Sequence, residues 1–286
     1  MTDRLAIIGK GAFGFALANV YGDRAIAHFG RDHPKWIEHR VAILAIPTSA
    51  LPALLSNLEF GPETIPILCS KGMLASGAFS STLLGDRPFA VLSGPGFADE
   101  LSSGLPTIHS LAATNPDLAE ALAETLSTTR FRLYWTTDVV GVQVCGTMKN
   151  ILAIAAGAVT ELGLGENARA SLLVRGIEEL RRAVMTLGGQ SETLMAPAGI
   201  GDVFLTCTSE KSRNFRFGRM IARGVSAEDA VKTLGTVEGL HALGGLLQAV
   251  GENDAPIAAA LNAVIYEGLA PKEAVDALMR RPIKPG

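Results

Sequence analysis

Cysteine is scarce, with Cys69, Cys145 and Cys207 the only three in 286 residues. They are odd in number, far apart and without ligand-like spacing, which argues against a disulfide framework and for a reducing compartment. Histidine is nearly as sparse. His28, His33, His39, His109 and His241 form no metal-ligand cluster, so no metal is expected. Lys/Arg runs are missing too, and a net charge of −3 gives no sign of a nucleic-acid partner. The opening MTDRLAIIGKG holds too short an apolar run for a signal peptide. The longest apolar stretch, Val139 to Thr160, approaches the length of a membrane span. Lys149 near its middle marks it instead as a buried helix, so no membrane span and a cytoplasmic location are expected.

What is present is enough for two cores: 48% of residues are hydrophobic and 19% charged. Leu5–Ile8, Ala25–Phe29, Val41–Ile46, Ile65–Cys69 and Pro88–Leu92 read as strands. Helical patterns such as Ala12–Val20 and Ser49–Leu58 fall between them, the rhythm of a parallel sheet with crossover helices. Thr107–Ala113 and Phe131–Trp135 read as further strands around a helix at Pro116–Leu126. Beyond Trp135 the apolar residues recur at helical spacing. The boundary is expected near Asp138, with residues 1–137 forming an α/β half and residues 138–286 an all-helical half.

Gly9-Lys10-Gly11-Ala12-Phe13-Gly14 follows the first strand and opens a helix. In a dinucleotide-binding turn the first glycine permits the tight bend. The second lets the backbone approach a pyrophosphate, and the third lets helix pack on strand. The helix N-terminus then offers free N–H groups to the phosphates. The expected fold is thus a Rossmann-like parallel sheet, shortened after its second strand, followed by the helical domain. Arg31, in AIAHFGRD after the second strand, suits a 2′-phosphate, whereas its neighbour Asp32 suits a free ribose. Either NADP or NAD therefore remains open as cofactor, and Arg31 also reads as a solvated surface residue.

Two segments of the helical half carry chemistry. Lys149 is the one charge between Asp138 and Glu161. Burial would lower its pKa toward that of a general acid/base, while the alternative is a lysine whose head reaches water. Asp202, flanked by glycines, precedes Thr206, Ser212, Arg213 and Asn214. That set can orient a lysine and bind an anion, or simply cap a helix and form a polar turn.

Taken together, GVQVCGTMKNILAIAAG, LGLGENARASLLVRGIEEL and AGIGDVFLTCTSEKSRNFRFG resemble the bacterial NAD(P)-dependent glycerol-3-phosphate dehydrogenases. Cys69-Ser-Lys71-Gly72, Leu92-Ser-Gly94-Pro95-Gly96-Phe97-Ala98 and Val237-Glu238-Gly239 extend the resemblance over most of the chain. It implies reduction of dihydroxyacetone phosphate to sn-glycerol 3-phosphate for glycerophospholipid synthesis, by a homodimer acting on a small phosphorylated substrate. Lys149 matches the family's catalytic lysine, and Lys71 a lysine touching cofactor and substrate. Gly94, Asp202, Ser212, Arg213 and Asn214 match substrate contacts, with Asn150 and Thr206 beside the catalytic positions. Ala12, Phe13, Arg31, Ala98, Arg213, Thr236 and Glu238 match cofactor contacts, alongside Gly9, Gly11 and Gly14.

The chain departs from that pattern twice. Gly96 stands where a hydroxyl or amide side chain usually touches substrate, and the stretch from Arg31 to Val41 lacks a helix, a loop and a strand. The first motivates a rival, a dehydrogenase of another small hydroxy acid. The second motivates another, an impaired homologue that only binds nucleotide. Intact Lys71, Lys149, Asp202, Arg213 and Asn214 argue against both.

Overall fold

The computed structural model describes residues 5–30 and 32–280. Its strands are β1 (Leu5–Ile8), β2 (Ala25–Phe29), the two-residue β3 (Trp36–Ile37), β4 (Val41–Leu44) and the equally short β5 (Glu59–Phe60). They continue with β6 (Ile65–Leu68), β7 (Ala90–Ser93), β8 (Thr107–Ala112) and β9 (Phe131–Thr136). Seven form one sheet in the order β2-β1-β4-β6-β7-β8-β9, while β3 pairs with β5 apart from it. Every residue of β1, β4 and β7 is buried, as strands covered on both faces must be.

One pairing differs from the expected parallel pattern. β7 and β8 run antiparallel, whereas β8 and β9 are again parallel. The cause is the connection. A parallel crossover needs a helix long enough to carry the chain back along the sheet. Between β7 and β8 the helix α3 (Ala98–Ser102) has five residues, whereas α4 (Pro116–Leu126) between β8 and β9 has eleven. The helix expected over 49–58 is also shorter. After a 3₁₀ turn, α2 spans Leu51–Leu55, with Pro52 in its first turn, and Ser56 and Asn57 side chains take the Ala53 carbonyl. Between β2 and β4 the described residues contain no helix, only β3, which leaves β2 at the sheet edge.

Alternation along the strands splits the core. Leu5, Ile7, Val41 and Ile43 face α1 (Ala12–Tyr21) and α4, together with Phe131 and Leu133 of β9. Ala6, Ile8, Ala42 and Leu44 face the other way and join a cluster that runs into the second half of the chain. Each fully buried Leu or Ile there contributes about 1.5–3 kcal/mol.

That half is helical throughout the described residues: α5 (Val139–Glu161), α6 (Gly165–Thr186), α7 (Asp202–Cys207), α8 (Arg213–Ala222), α9 (Ala227–Leu234), α10 (Glu238–Val250), α11 (Pro256–Tyr266) and α12 (Pro271–Met279). Asp138 caps α5 by accepting from Gly141 N–H at 2.8 Å and also takes the Gln190 N–H. Length and composition would let α5 cross a membrane, yet 94% of its most apolar stretch is buried inside the protein. Helix α5 is a core helix. Glu179 of α6, itself buried, accepts from the Ile257 and Ala258 N–H groups at the start of α11.

Helices α5 and α8 cross at backbone contact. A Cβ on Gly157 would lie 2.0 Å from the Phe215 carbonyl oxygen, and one on Gly218 1.9 Å from that of Ile154. Glycine at both positions is therefore a packing requirement, and it draws the start of α8 against the middle of α5. Gly218→Ala is expected to force the helices apart and lower stability by about 1–3 kcal/mol. The check is a reduced urea midpoint with an unchanged m-value.

Candidate active site

In an open sheet of this kind, ligands bind beyond the carboxyl ends of the strands, where chain order reverses. The reversal here lies between β1 and β4. The glycine-rich turn after β1, the Ala45–Thr48 segment after β4, the Cys69–Gly72 segment after β6 and the Gly94–Ala98 segment after β7 all emerge at this edge.

The three glycines of the turn have separable roles. Gly9 adopts φ +124°, and a Cβ there would lie 2.2 Å from the Ala45 carbonyl oxygen. A Cβ on Gly14 would lie 1.8 Å from the Gly9 oxygen, so both are demanded by the chain's own packing. Gly11 is different. Apart from its own chain neighbours, nothing among the described residues comes within 4 Å of its Cβ position, and no side chain caps α1, which begins there. Free first-turn N–H groups beside an exposed glycine fit a pyrophosphate. Ala12 and Phe13 belong to that first turn. Arg31 lies outside the described residues. Asp32 accepts from Gly30 N–H and stands 3.9 Å from Lys10.

A second group converges from both halves. Lys149 and Asn150 sit at mid-helix on α5, and Asp202 opens α7 with Thr206 one turn on. Lys149 Nζ donates to Asp202 Oδ1 at 3.1 Å and to Thr206 Oγ1 at 3.0 Å. Lys71 Nζ donates to Asp202 Oδ2 at 2.7 Å and to the Gly94 carbonyl at 2.8 Å. One buried carboxylate thus serves two ammonium groups, one oxygen each. Burial would raise the Asp202 carboxyl, but Lys149 and Lys71 hold it below its ordinary value. Burial pulls the Lys149 ammonium below the lysine range, with Asp202 opposing and Lys71 adding to the effect.

Asn150 links this centre to the later helices. Its Nδ2 lies within hydrogen-bond distance of the Lys71 carbonyl and of Glu238 Oε2, while its Oδ1 accepts from Asn214. Asn214 Oδ1 in turn accepts from Gly239 N–H. Glu238, the first residue of α10, is raised by burial, and Lys149, Lys71 and Arg213 oppose the shift. With Thr236 it lines a cavity of about 420 Å³, together with Thr48, Ser49, Gly72 and His241. The buried Thr48 Oγ1 has no partner among the described residues.

Of the residues singled out in the sequence, Lys71, Gly94, Lys149, Asn150, Asp202, Thr206, Asn214 and Glu238 come together in one network. Others stand around it. Ser212 Oγ caps α8 by accepting from Phe215 N–H, and Arg213 is exposed at the same helix start. Ala98 opens α3, and Gly96 lies against the buried ring of His109. Sequence reasoning missed the Lys71–Asp202 pair, Thr48 and a clasp at Lys211. Lys211 Nζ donates to Asp99 and Glu100 at 2.8 and 2.7 Å and lies 5.6 Å over the Phe97 ring. It ties the loop before Arg213 to the start of α3. An Asp-Glu pair facing a lysine 112 residues away leaves no local signal.

Comparison with known proteins adds the following. Residues 138–276 match the family model described as NAD-dependent glycerol-3-phosphate dehydrogenase C-terminus. A glycerol-3-phosphate dehydrogenase [NAD(P)+] of Rhizobium etli is 36% identical, over 99% of this chain and 99% of its own. That alignment spans 326 positions, more than the 286 residues of this chain, so the relative carries residues missing here. A Sphingopyxis alaskensis protein of the same description is 41% identical over 85% of this chain and 76% of its own. Among solved structures, a glycerol-3-phosphate dehydrogenase from Coxiella burnetii superimposes with a TM-score of 0.85 at 30% identity, covering 98% of this chain and 99% of its own.

Asp202→Asn would leave two ammonium groups facing each other in a buried space. We expect stability at pH 7 to fall by about 3–5 kcal/mol, the cost of breaking a buried ion pair. Part of it should return as pH rises. Lys149, lowered by burial and now without its carboxylate, loses its proton in the folded variant before the lysines of the unfolded chain do, so the unfolded state binds more protons and stability climbs with pH. Urea melts of variant and parent across pH 7 to 10 check this; parallel curves would contradict it.

Proposed function

The chain belongs to the NAD(P)-dependent glycerol-3-phosphate dehydrogenase family, and from that premise we propose that it reduces dihydroxyacetone phosphate to sn-glycerol 3-phosphate with NADH or NADPH. The observation that carries this reading is the buried Lys149–Asp202–Lys71 cluster, set between a dinucleotide-type turn and the helical half. A ketone reduction needs a hydride source, a proton donor at the carbonyl oxygen and positive charge for a phosphate, and the site offers a place for each.

Gly9, Gly11, Ala12, Phe13 and Gly14 would hold NAD(P)H, which when bound would supply the hydride for the central carbon. On this reading Ala98, Thr236 and Glu238 complete the cofactor site. Lys149 donates its proton to the substrate oxygen as negative charge develops there. Its lowered pKa eases that transfer at neutral pH. Asp202 and Thr206 fix the ammonium in direction, and Lys71 adds positive charge from the opposite side of the carboxylate. Gly94, Gly96, Asn150, Ser212, Arg213 and Asn214 shape the substrate site, with the exposed Arg213 fork suited to the phosphate. Residues 1–137 hold the cofactor and 138–286 most of the substrate machinery. We assign the protein to the cytoplasm as a homodimer whose product feeds glycerophospholipid synthesis.

Purified protein should oxidise NADH or NADPH only when dihydroxyacetone phosphate is added, read as loss of absorbance at the reduced nicotinamide band. Cofactor binding without ketone-dependent oxidation would contradict the reading.

Lys149→Met preserves stem length and apolar packing, so the fold should survive by circular dichroism. Its kcat should fall by roughly two to four orders of magnitude, with cofactor affinity little changed in a fluorescence titration. A kcat near that of the parent would remove Lys149 from the chemistry.

A further inference from the structure

His109 lies on β8 and is fully buried, yet neither ring nitrogen has a partner among the described residues. Its ring is packed between Phe131, with centroids 4.8 Å apart, and Phe13 of the glycine-rich turn at 6.2 Å. Burial pushes its pKa down to about 3, with Lys71 and Lys149 acting in the same direction and Asp202 against them. The imidazole is therefore neutral, and it lies close enough to feel all three charges of the reaction centre. A buried polar group left unpaired bears its full desolvation cost, which makes it a sign of a role still to be identified.

The wall in front of the ring is glycine. A Cβ on Gly94 would stand 2.7 Å from His109 Cα. On Gly96 it would stand 2.9 Å from the ring Cε1 and 3.3 Å from Nε2. A side chain at position 96 would have to displace this ring, and with glycine there the imidazole edge is the polar group that stands at that point. The same loop belongs to the reaction centre, because the Gly94 carbonyl accepts from Lys71.

We propose that His109 is a specificity-determining residue whose Nε2, reached past Gly96, hydrogen-bonds the uncharged hydroxymethyl end of the ketone substrate. This rests on the dehydrogenase reading above. The assignment to that end follows from charge. A neutral ring packed against two phenyl groups brings no positive charge to a dianionic phosphate, whereas the exposed Arg213 fork does. The carbonyl oxygen falls to Lys149. A neutral imidazole has one donor and one acceptor, and a hydroxyl can complement either.

The test compares dihydroxyacetone phosphate with hydroxyacetone phosphate, the same ketone without the terminal hydroxyl. The parent should favour the hydroxylated ketone in kcat/KM, because a site built to pair a hydroxyl rejects the analogue lacking it. His109→Leu should cut that preference about tenfold or more, mainly through a raised KM for dihydroxyacetone phosphate, and His109→Gln should keep part of it. Gly96→Ala pushes the ring back without adding a hydrogen-bonding group, and should lower the preference in the same direction. It decides the matter should the leucine variant not fold. A preference unchanged in either variant, or an equal loss on both ketones, would overturn the proposal and leave His109 a packing residue. A parent protein that reduces neither ketone would overturn the dehydrogenase reading itself, and this inference with it.

Discussion

Asp202 is 1% exposed and holds one ammonium on each carboxylate oxygen. Ionising three groups in so dry a place is costly unless the partners stand at hydrogen-bond distance, and here each does. The three belong to distant parts of the chain. Lys71 comes from the loop after β6, Lys149 from the middle of α5, and Asp202 from the first turn of α7. Satisfying the carboxylate therefore requires the sheet and the helical half to meet in one relative position, and the geometry of the buried charge cluster and the packing of the two parts become the same constraint.

Much of the remaining architecture serves that meeting. Helix α5 must enter the core with a lysine at its centre, and the glycines at 157 and 218 bring α8 to backbone contact beside it. The close crossing places Asn214 against Asn150, which reaches on to the Lys71 carbonyl and to Glu238. Gly146, one turn before Lys149, packs against Ser93 and the Lys71 stem. The small residues of this helix are where other chain segments come closest.

At the cofactor end the chain is economical. The turn after β1 holds two glycines that packing demands and a third, Gly11, whose Cβ position is open, while the described residues between β2 and β4 form only a two-residue strand. That stretch lies beside the sheet edge, away from Lys71, Lys149 and Asp202. The Lys71–Asp202–Lys149 cluster and that flank are held by different contacts.

Local pattern made a good deal of this legible. A four-residue apolar run followed by spaced glycines defines a strand, a tight turn and a helix start within a dozen residues. Lys149 stood out as a lone charge in an apolar helix, and the ordered motifs carried the family resemblance. Other features were beyond reading. The antiparallel step at β8 depends on how far a five-residue helix can carry the chain, and the shortened α2 on side chains competing for one carbonyl. His109 behind Gly96, and the pairing of Lys71 with Asp202 across 131 residues, exist only once the chain is packed. Periodicity and turn chemistry act over a few residues, so sequence alone determined the elements and the identity of the chemical groups. Which groups face one another across a buried space was decided by tertiary packing, because only the folded chain brings distant charges close enough to pair and dry enough for the pairing to matter.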